Sequence, residues 1–163
     1  MSCARQNVVH LSDLLTSVGD VFRSLVEQAD EFAIILLEED GSIAFWNSGA
    51  VTIFGHPYQD VVGKNFSLLF LPEDVELGIP EKELRLAREQ GRADDTRWHV
   101  GQDGALAFID GMTLPIRNQK GDIVGFSKFG RDVTERYLSE KRIAAQLALM
   151  NLLDPDVPFE TIA

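Results

Sequence analysis

The chain is poor in cysteine and in cations, and it contains no long hydrophobic run. Cys3 is the only cysteine among 163 residues, so neither an intrachain disulfide nor a thiolate metal site is expected. Lysine and arginine number 15 against 26 acidic residues, a net charge of −11. That balance argues against nucleic-acid binding, because phosphate contacts need clustered cations. The densest apolar run, Phe32–Leu37, is far shorter than the ~20 residues that span a bilayer.

Sequence motifs of common enzymes and of secretion are also missing. The chain has no phosphate-binding glycine-rich loop, no His-Glu-x-x-His, no Cys-x-x-Cys and no Gly-x-Ser-x-Gly. Its start lacks the basic and then apolar pattern of a signal peptide. We therefore expect a cytoplasmic protein that is not an enzyme, with no catalytic residues, no metal site, and no membrane or nucleic-acid partner. An apolar content of 45% is sufficient for one hydrophobic core.

The first part of the chain has the periodicity of an amphipathic helix over Val8 to Glu31. Its apolar residues alternate steps of four and three, which is the spacing of a heptad seam. These residues are Leu11, Leu15, Val18, Phe22, Leu25 and Ala29. The pattern fits a helix that pairs with a second copy and equally a helix that packs on its own domain. We assign the first five of them to a homodimer interface.

The middle of the chain alternates short strands with a helical block. Strands are predicted over Phe32–Leu37, Ser42–Trp46, Asp94–Val100, Ala105–Arg117 and Ile123–Arg131, and short helices over residues 47–90. Asn47 is expected to cap the first short helix, Gly55 to end it, and Val51 and Phe54 to face inward. This order predicts an α+β fold with a five-stranded antiparallel sheet, covered on one face by short helices. The interior between them could hold a small molecule.

A strand that runs directly into a helix is the feature on which the interpretation depends. After the last strand, Asp132 can accept from free backbone donors, and Glu135 can reach back, as in a capping box. From Thr134 a helix is predicted to about Leu153. Such a joint can transmit a change in the strand to the helix, although an ordinary strand-to-helix corner has the same sequence pattern.

Several short motifs in order resemble those of PAS domains with their C-terminal PAC region. The motifs are Asp40-Gly41-Ser42-Ile43, Trp46-Asn47, Ile53-Phe54-Gly55, Val62-Gly63-Lys64, Leu69-Phe70-Leu71-Pro72-Glu73-Asp74, Asp103-Gly104, Pro115-Ile116-Arg117, Gly121-Asp122-Ile123-Val124-Gly125-Phe126 and Arg131-Asp132-Val133-Thr134-Glu135-Arg136. The resemblance covers about residues 25–137. It implies three parts: a dimerising and signalling helix over 1–31, a sensor domain over 32–133, and a signalling helix with tail over 134–163. The family also implies a bacterial sensory module that acts on an effector such as a histidine kinase of a two-component system, with Asp132, Thr134 and Glu135 at the transmission joint.

The same alignment predicts a ligand pocket on the inner face of the sheet. The residues turned inward are Arg97, His99, Ile109, Gly111, Thr113, Phe126, Lys128 and Gly130. A slip of one residue on the first of these strands would instead place Trp98 in the core. A lysine in this position needs a partner, the two glycines are expected to leave room, and Asp94 and Asp95 are assigned to solvent.

The resemblance leaves the cofactor unknown. A flavin or haem near His99 and Lys128 is the alternative to a sensor of an uncoloured ligand or partner. Cysteinyl-flavin photochemistry is not expected, because the helical region that carries the cysteine in light-sensing relatives corresponds here to Asn65–Leu71, far from Cys3. The long helix that carries the iron-binding histidine in one type of haem sensor corresponds to Glu73–Gln90 and contains no histidine.

Overall fold

The computed structural model describes residues 20–153, which form six α-helices, one 3-10 helix and five strands. In chain order these elements are α1 (Asp20–Glu27), β1 (Ala33–Leu37), β2 (Ile43–Trp46), α2 (Ser48–Phe54), α3 (Tyr58–Val61), the 3-10 helix (Phe66–Leu69), α4 (Pro72–Glu76), α5 (Ile79–Gln90), β3 (Ala93–Val100), β4 (Leu106–Arg117), β5 (Ile123–Asp132) and α6 (Thr134–Leu153). The chain divides into two compact units between Asp132 and Val133.

The five strands form one sheet in the order β2-β1-β5-β4-β3, and every neighbouring pair is antiparallel. The expected α+β fold with a five-stranded antiparallel sheet is therefore confirmed. The last strand, β5, lies at the centre, where Lys128 is opposite Ile35 on β1 and Thr113 on β4. Helix α2 packs on β1, and α5 packs on β3 and β4, so the core lies between one face of the sheet and the short helices.

Asn47 connects the start of the domain to its first hairpin. Its Oδ1 accepts from the backbone N–H groups of Ala50 and Ile34, each at 2.9 Å. Its Nδ2 donates to the carbonyls of Val26 and Phe32, at 3.1 and 3.0 Å. The predicted cap on α2 is thus confirmed. The prediction that the first helix continues to Glu31 is wrong. Helix α1 ends at Glu27, and in the segment after it the carbonyls of Ala29 and Phe32 accept from Asn47.

Helix α2 ends as expected and faces the core with a different side chain than expected. Gly55 follows it with a φ of 74°, a left-handed conformation that glycine adopts without strain. Phe54 is buried, but Val51 is 36% exposed, so its predicted inward position is wrong. Ala50 and Phe54, four residues apart, form the buried side of this short helix, and Val51 lies off that side.

The predicted dimer seam lies mostly outside the described residues, which leave out Leu11, Leu15 and Val18. Of the two remaining residues, Phe22 belongs to α1, and Leu25 is 64% exposed. The seam therefore stays a prediction.

Helix α6, described by itself, exposes nearly all of its apolar side chains. They include Leu138, Ile143, Leu147, Leu149, Met150 and Leu152. Within residues 20–153, no helix combines the length and the apolar character that crossing a membrane requires.

Candidate functional site

Five buried polar side chains from four elements meet on the inner face of the sheet, and we call them the interior charge cluster. Its members are Glu83 on α5, Asp95 and His99 on β3, Thr113 on β4 and Lys128 on β5, none more than 4% exposed. Residues 95 and 99 face inward together because side chains of a strand alternate between its two faces. Charged side chains are rarely this buried unless they are paired, so their contacts decide the stability of the interior.

Lys128 lies at the centre of the cluster and forms two ion pairs. Its Nζ is 2.6 Å from Oε1 of Glu83 and 2.5 Å from Oδ2 of Asp95. The same ammonium group lies over the rings of Phe66 and Phe70, 5.8 and 5.3 Å from their centroids. The lysine therefore joins helix α5 and the edge strand β3 to the central strand.

Asp95 accepts from three cationic or polar groups and has no exposed surface. Its Oδ2 contacts Lys128 and also Nε2 of His99 at 2.8 Å, and its Oδ1 accepts from Nε of Arg97 at 2.7 Å. Burial alone would raise the pKa of Asp95, but the charge of Lys128 and the hydrogen bond from His99 hold this pKa well below its usual range. Asp95 is therefore an ionised carboxylate in the folded protein.

Both ring nitrogens of His99 are engaged. Nε2 contacts Asp95, and Nδ1 lies 3.0 Å from the carbonyl oxygen of Leu69, the last residue of the 3-10 helix. The rings of Phe54 and Phe70 pack against the imidazole at angles of 72° and 68°. His99 does not fit the role of a haem ligand, since either nitrogen would have to give up its hydrogen bond to reach iron.

Glu83 has one oxygen with two donors and another with none. Oε1 accepts from Lys128 and from Oγ1 of Thr113 at 2.5 Å. Oε2 is buried and has no hydrogen-bond partner. A buried acceptor without a donor costs roughly 1–3 kcal/mol, and more when it is charged. This carboxylate is therefore held mainly by Lys128, and its burial depends on that lysine.

Of the predicted pocket residues, the structure brings four together by direct contacts. Arg97, His99, Thr113 and Lys128 all belong to the cluster or touch it. Ile109 and Phe126 are buried beside them as apolar core. Trp98 lies on the opposite face of the sheet and packs on Phe108, with ring centroids 5.2 Å apart. Whether these inward residues contact a ligand stays a prediction.

The two predicted glycines do not open space beside the sheet as expected. Gly111 and Gly130 are opposite each other in the pairing of β4 with β5. A Cβ on Gly111 would lie 2.4 Å from the carbonyl oxygen of Phe129, and one on Gly130 would lie 2.7 Å from a methyl group of Ile109. Glycine is present at both positions because neighbouring atoms already fill the volume of a side chain.

Sequence reasoning missed both acidic residues of the cluster. The assignment of Asp95 to solvent is wrong, although Asp94 is exposed. Two periodicities could have revealed them. Asp95 has the same strand parity as His99, and Glu83 shares the helical spacing of the buried residues Leu84 and Ala87. An acidic residue on the buried stripe of a helix is a strong indication of an interior partner.

The part of the chain that the structure describes contains no group of three or more histidine, cysteine, aspartate or glutamate residues positioned to hold a metal ion. The polar groups of the inner face are instead arranged in pairs of opposite charge. The arrangement can hold a charge or a proton inside the domain and can join β5 to the elements around it.

A five-stranded antiparallel sheet with short helices over one face makes this an α+β domain. A family model described as the PAS fold matches residues 21–133, and the chain therefore belongs to the PAS family. A curated relative, two-component system protein A of Emericella nidulans, is 33% identical over 139 residues, which are 85% of this chain and 20% of that protein. The chain thus spans about a fifth of the length of this relative.

Solved structures of PAS domains share the fold. The PAS domain of a protein from Colwellia psychrerythraea is 24% identical, with a TM-score of 0.65, and the match covers 76% of this chain and 99% of that one. The PAS domain of an HTR-like protein from Haloarcula marismortui is 19% identical, with a TM-score of 0.60, and covers 74% and 95%. At these identities the likeness concerns the fold alone.

Proposed function

We propose that this chain is a dimeric, non-enzymatic sensory module, in which a change on the inner face of the sheet passes through β5 to the outgoing helix α6. The observation that carries the proposal is the position of β5. This strand lies at the centre of the sheet and holds Lys128 of the interior charge cluster. It ends at Asp132, and α6 begins at Thr134, so only Val133 separates the two elements.

The curated relative supports the proposed class of partner. That relative is named as a two-component system protein. We therefore propose that the effector is a signalling protein such as a histidine kinase, and that it acts in the cytoplasm together with this chain. The exposed apolar side chains of α6 are available to continue into a helical contact with an effector or a second copy.

To test transmission, a charge of the interior charge cluster is removed and the amide hydrogen exchange of α6 is measured. Glu83→Gln keeps the shape of the side chain but removes the charge that faces Lys128. We expect the amide hydrogen exchange of α6 to change. Glu89→Gln is the matched control, since Glu89 is an exposed residue of the same helix α5. Equal exchange of α6 in both variants and the native chain would show that the interior and the helix are not coupled.

A separate test addresses the dimer. Replacing both Leu15 and Phe22 with Glu places charges on the predicted seam, and we expect monomers in sedimentation velocity. Gln28→Glu, at an exposed position just after α1, is the control and should leave the dimer intact. A dimer that persists in the double variant would place the interface elsewhere.

A further inference from the structure

The hydrogen bonds of His99 require more protons than a neutral imidazole carries. Nδ1 faces the carbonyl oxygen of Leu69 at 3.0 Å, and a carbonyl can only accept. Nε2 faces Oδ2 of Asp95 at 2.8 Å. A neutral imidazole has one N–H group and one lone pair, so it can satisfy only one of these two contacts if Asp95 is also purely an acceptor.

Asp95 is purely an acceptor. Its two oxygens accept hydrogen bonds from Lys128, Arg97 and His99, and the charge of Lys128 together with the hydrogen bonds from His99 and Lys128 outweighs the effect of burial on this carboxyl group. An ionised carboxylate has no hydrogen to give. Both nitrogens of His99 must therefore donate, which they do only in the imidazolium form.

The extended network of charged groups around His99 has equal numbers of each sign when His99 carries this second proton. Asp95 on β3 faces His99 directly, and Lys128 on β5 and Arg97 on β3 face Asp95. One contact further out, Glu83 on α5 faces Lys128 and Thr113 on β4, and Asp74 on α4 faces Arg97. Arg97 Nη1 is 3.7 Å from Oδ2 of Asp74. Three carboxylates thus stand against Lys128, Arg97 and the imidazolium. Without the proton, the network has one more negative than positive charge, and its inner members Glu83, Asp95 and Lys128 are buried.

We propose that His99 is a buried proton-binding site, and that its second proton links the 3-10 helix to the edge strand β3. When the proton leaves for water, only an N–H bond breaks. Nε2 keeps its hydrogen, because a hydrogen bond to the charged Asp95 is stronger than one to a neutral carbonyl. Nδ1 then presents a lone pair to the carbonyl of Leu69, and the two repel. The hydrogen bond from Nδ1 of His99 to the carbonyl of Leu69, which we call the link, is therefore present at low pH and is lost as pH rises.

Loss of the hydrogen bond between His99 and Leu69 would act first on the neighbouring residue Phe70. Phe70, next to Leu69, forms an isolated β-bridge with His99 and packs its ring on the imidazole. The ring of Phe70 also covers the ammonium group of Lys128. Opening the link therefore loosens the contact of the 3-10 helix with β3 and uncovers the lysine of the central strand. The proton would be the signal that the interior detects, and only its relay to α6 rests on the proposed function.

The test uses the native chain labelled with 15N and 13C, with the ring nitrogens of His99 followed by NMR from about pH 5 to about pH 8, the range in which histidine changes charge. We expect both nitrogens to be protonated at the acid end and Nδ1 to lose its hydrogen on the way up. The carbonyl carbon of Leu69 and the amide of Phe70 should shift with the same midpoint. His10→Gln and His56→Gln remove the ring signals of the other two histidines, so they assign those of His99, and both should leave these shifts unchanged.

The outcomes separate the proton site from the proposed function. A ring with a single proton at the acid end, a ring with two protons at the alkaline end, or signals of Leu69 and Phe70 that ignore the titration would each overturn the proton site. Shifts of Leu69 and Phe70 that follow the ring support it, whatever α6 does. If amides of Thr134 to Tyr137 stay unchanged in that same titration, the proton site stands and the relay to α6 fails.

Discussion

The interior charge cluster makes a quantitative prediction for Lys128→Met, a substitution that keeps most of the side-chain volume and removes the charge. Asp95 would keep Arg97 and His99 as partners. Glu83 would keep only Thr113, because its second oxygen already has no donor. Removing one partner of a buried ion pair typically costs roughly 3–5 kcal/mol, and we expect a free energy of unfolding lower by that amount.

The assay is urea unfolding followed by tryptophan fluorescence, to which Trp46, buried in the core, and Trp98 both contribute. With a urea dependence of about 1–3 kcal/mol per molar, the unfolding midpoint should fall by roughly 2 M. Lys120→Met is the matched control, since Lys120 lies exposed in the turn between β4 and β5. Its effect should stay within about 0.5 kcal/mol.

A second variant identifies the source of the loss. If the bare charge of Glu83 is responsible, adding Glu83→Gln to Lys128→Met should recover part of the stability, because an amide is easier to bury than a carboxylate. The reasoning is refuted if Lys128→Met and Lys120→Met have the same midpoint. It is also refuted if the double variant is less stable than Lys128→Met alone.

Three further outcomes are expected. Gly49→Ala, in α2, should destabilise the chain by about 1–3 kcal/mol in urea unfolding, because its Cβ would lie 2.1 Å from the carbonyl oxygen of Phe32. An unchanged free energy of unfolding would mean that the backbone around Gly49 and Phe32 can move to make room. Asp132→Ala should lower the thermal midpoint and the helix content in circular dichroism at a cost of roughly 1 kcal/mol, and unchanged values would count against the cap. The pKa of Asp95 is lowered by folding, so its contribution to stability is present above about pH 4 and is lost as pH falls below that. In Asp95→Asn, the free energy of unfolding should therefore fall less steeply as the pH is lowered below about 4. An unchanged pH dependence would show that Asp95 does not cause this loss of stability.

The order and type of the strands could be predicted from the sequence because their signals are local. Alternating apolar residues, turns such as Asn118–Gly121 and the cap at Asn47 each act over a few residues. The strand boundaries accordingly agree with the structure to within one residue at Phe32, Ser42, Asp94 and Ala105. The inward position of Lys128 was an implication of the resemblance to PAS domains, and the need for a partner followed from the cost of burying a charge.

The identity of that partner could not be obtained in the same way. Glu83 and Asp95 lie 45 and 33 residues from Lys128 along the chain. Such contacts depend on how α5 packs across the sheet, which no local pattern encodes. The position of Asp95 beside the exposed Asp94 also suggested a solvated pair, whereas strand alternation separates the two residues onto opposite faces.

A charged interior is an expensive way to fill a core, and this cost bears on function. Apolar residues of similar volume often stabilise a protein as well as a buried ion pair or better. The cluster therefore adds less to stability than its short distances suggest. What it adds is dependence of α5, β3 and the 3-10 helix on one another through Lys128 and His99. A single proton or charge can change all three contacts together, whereas an apolar core would respond only to a change in shape.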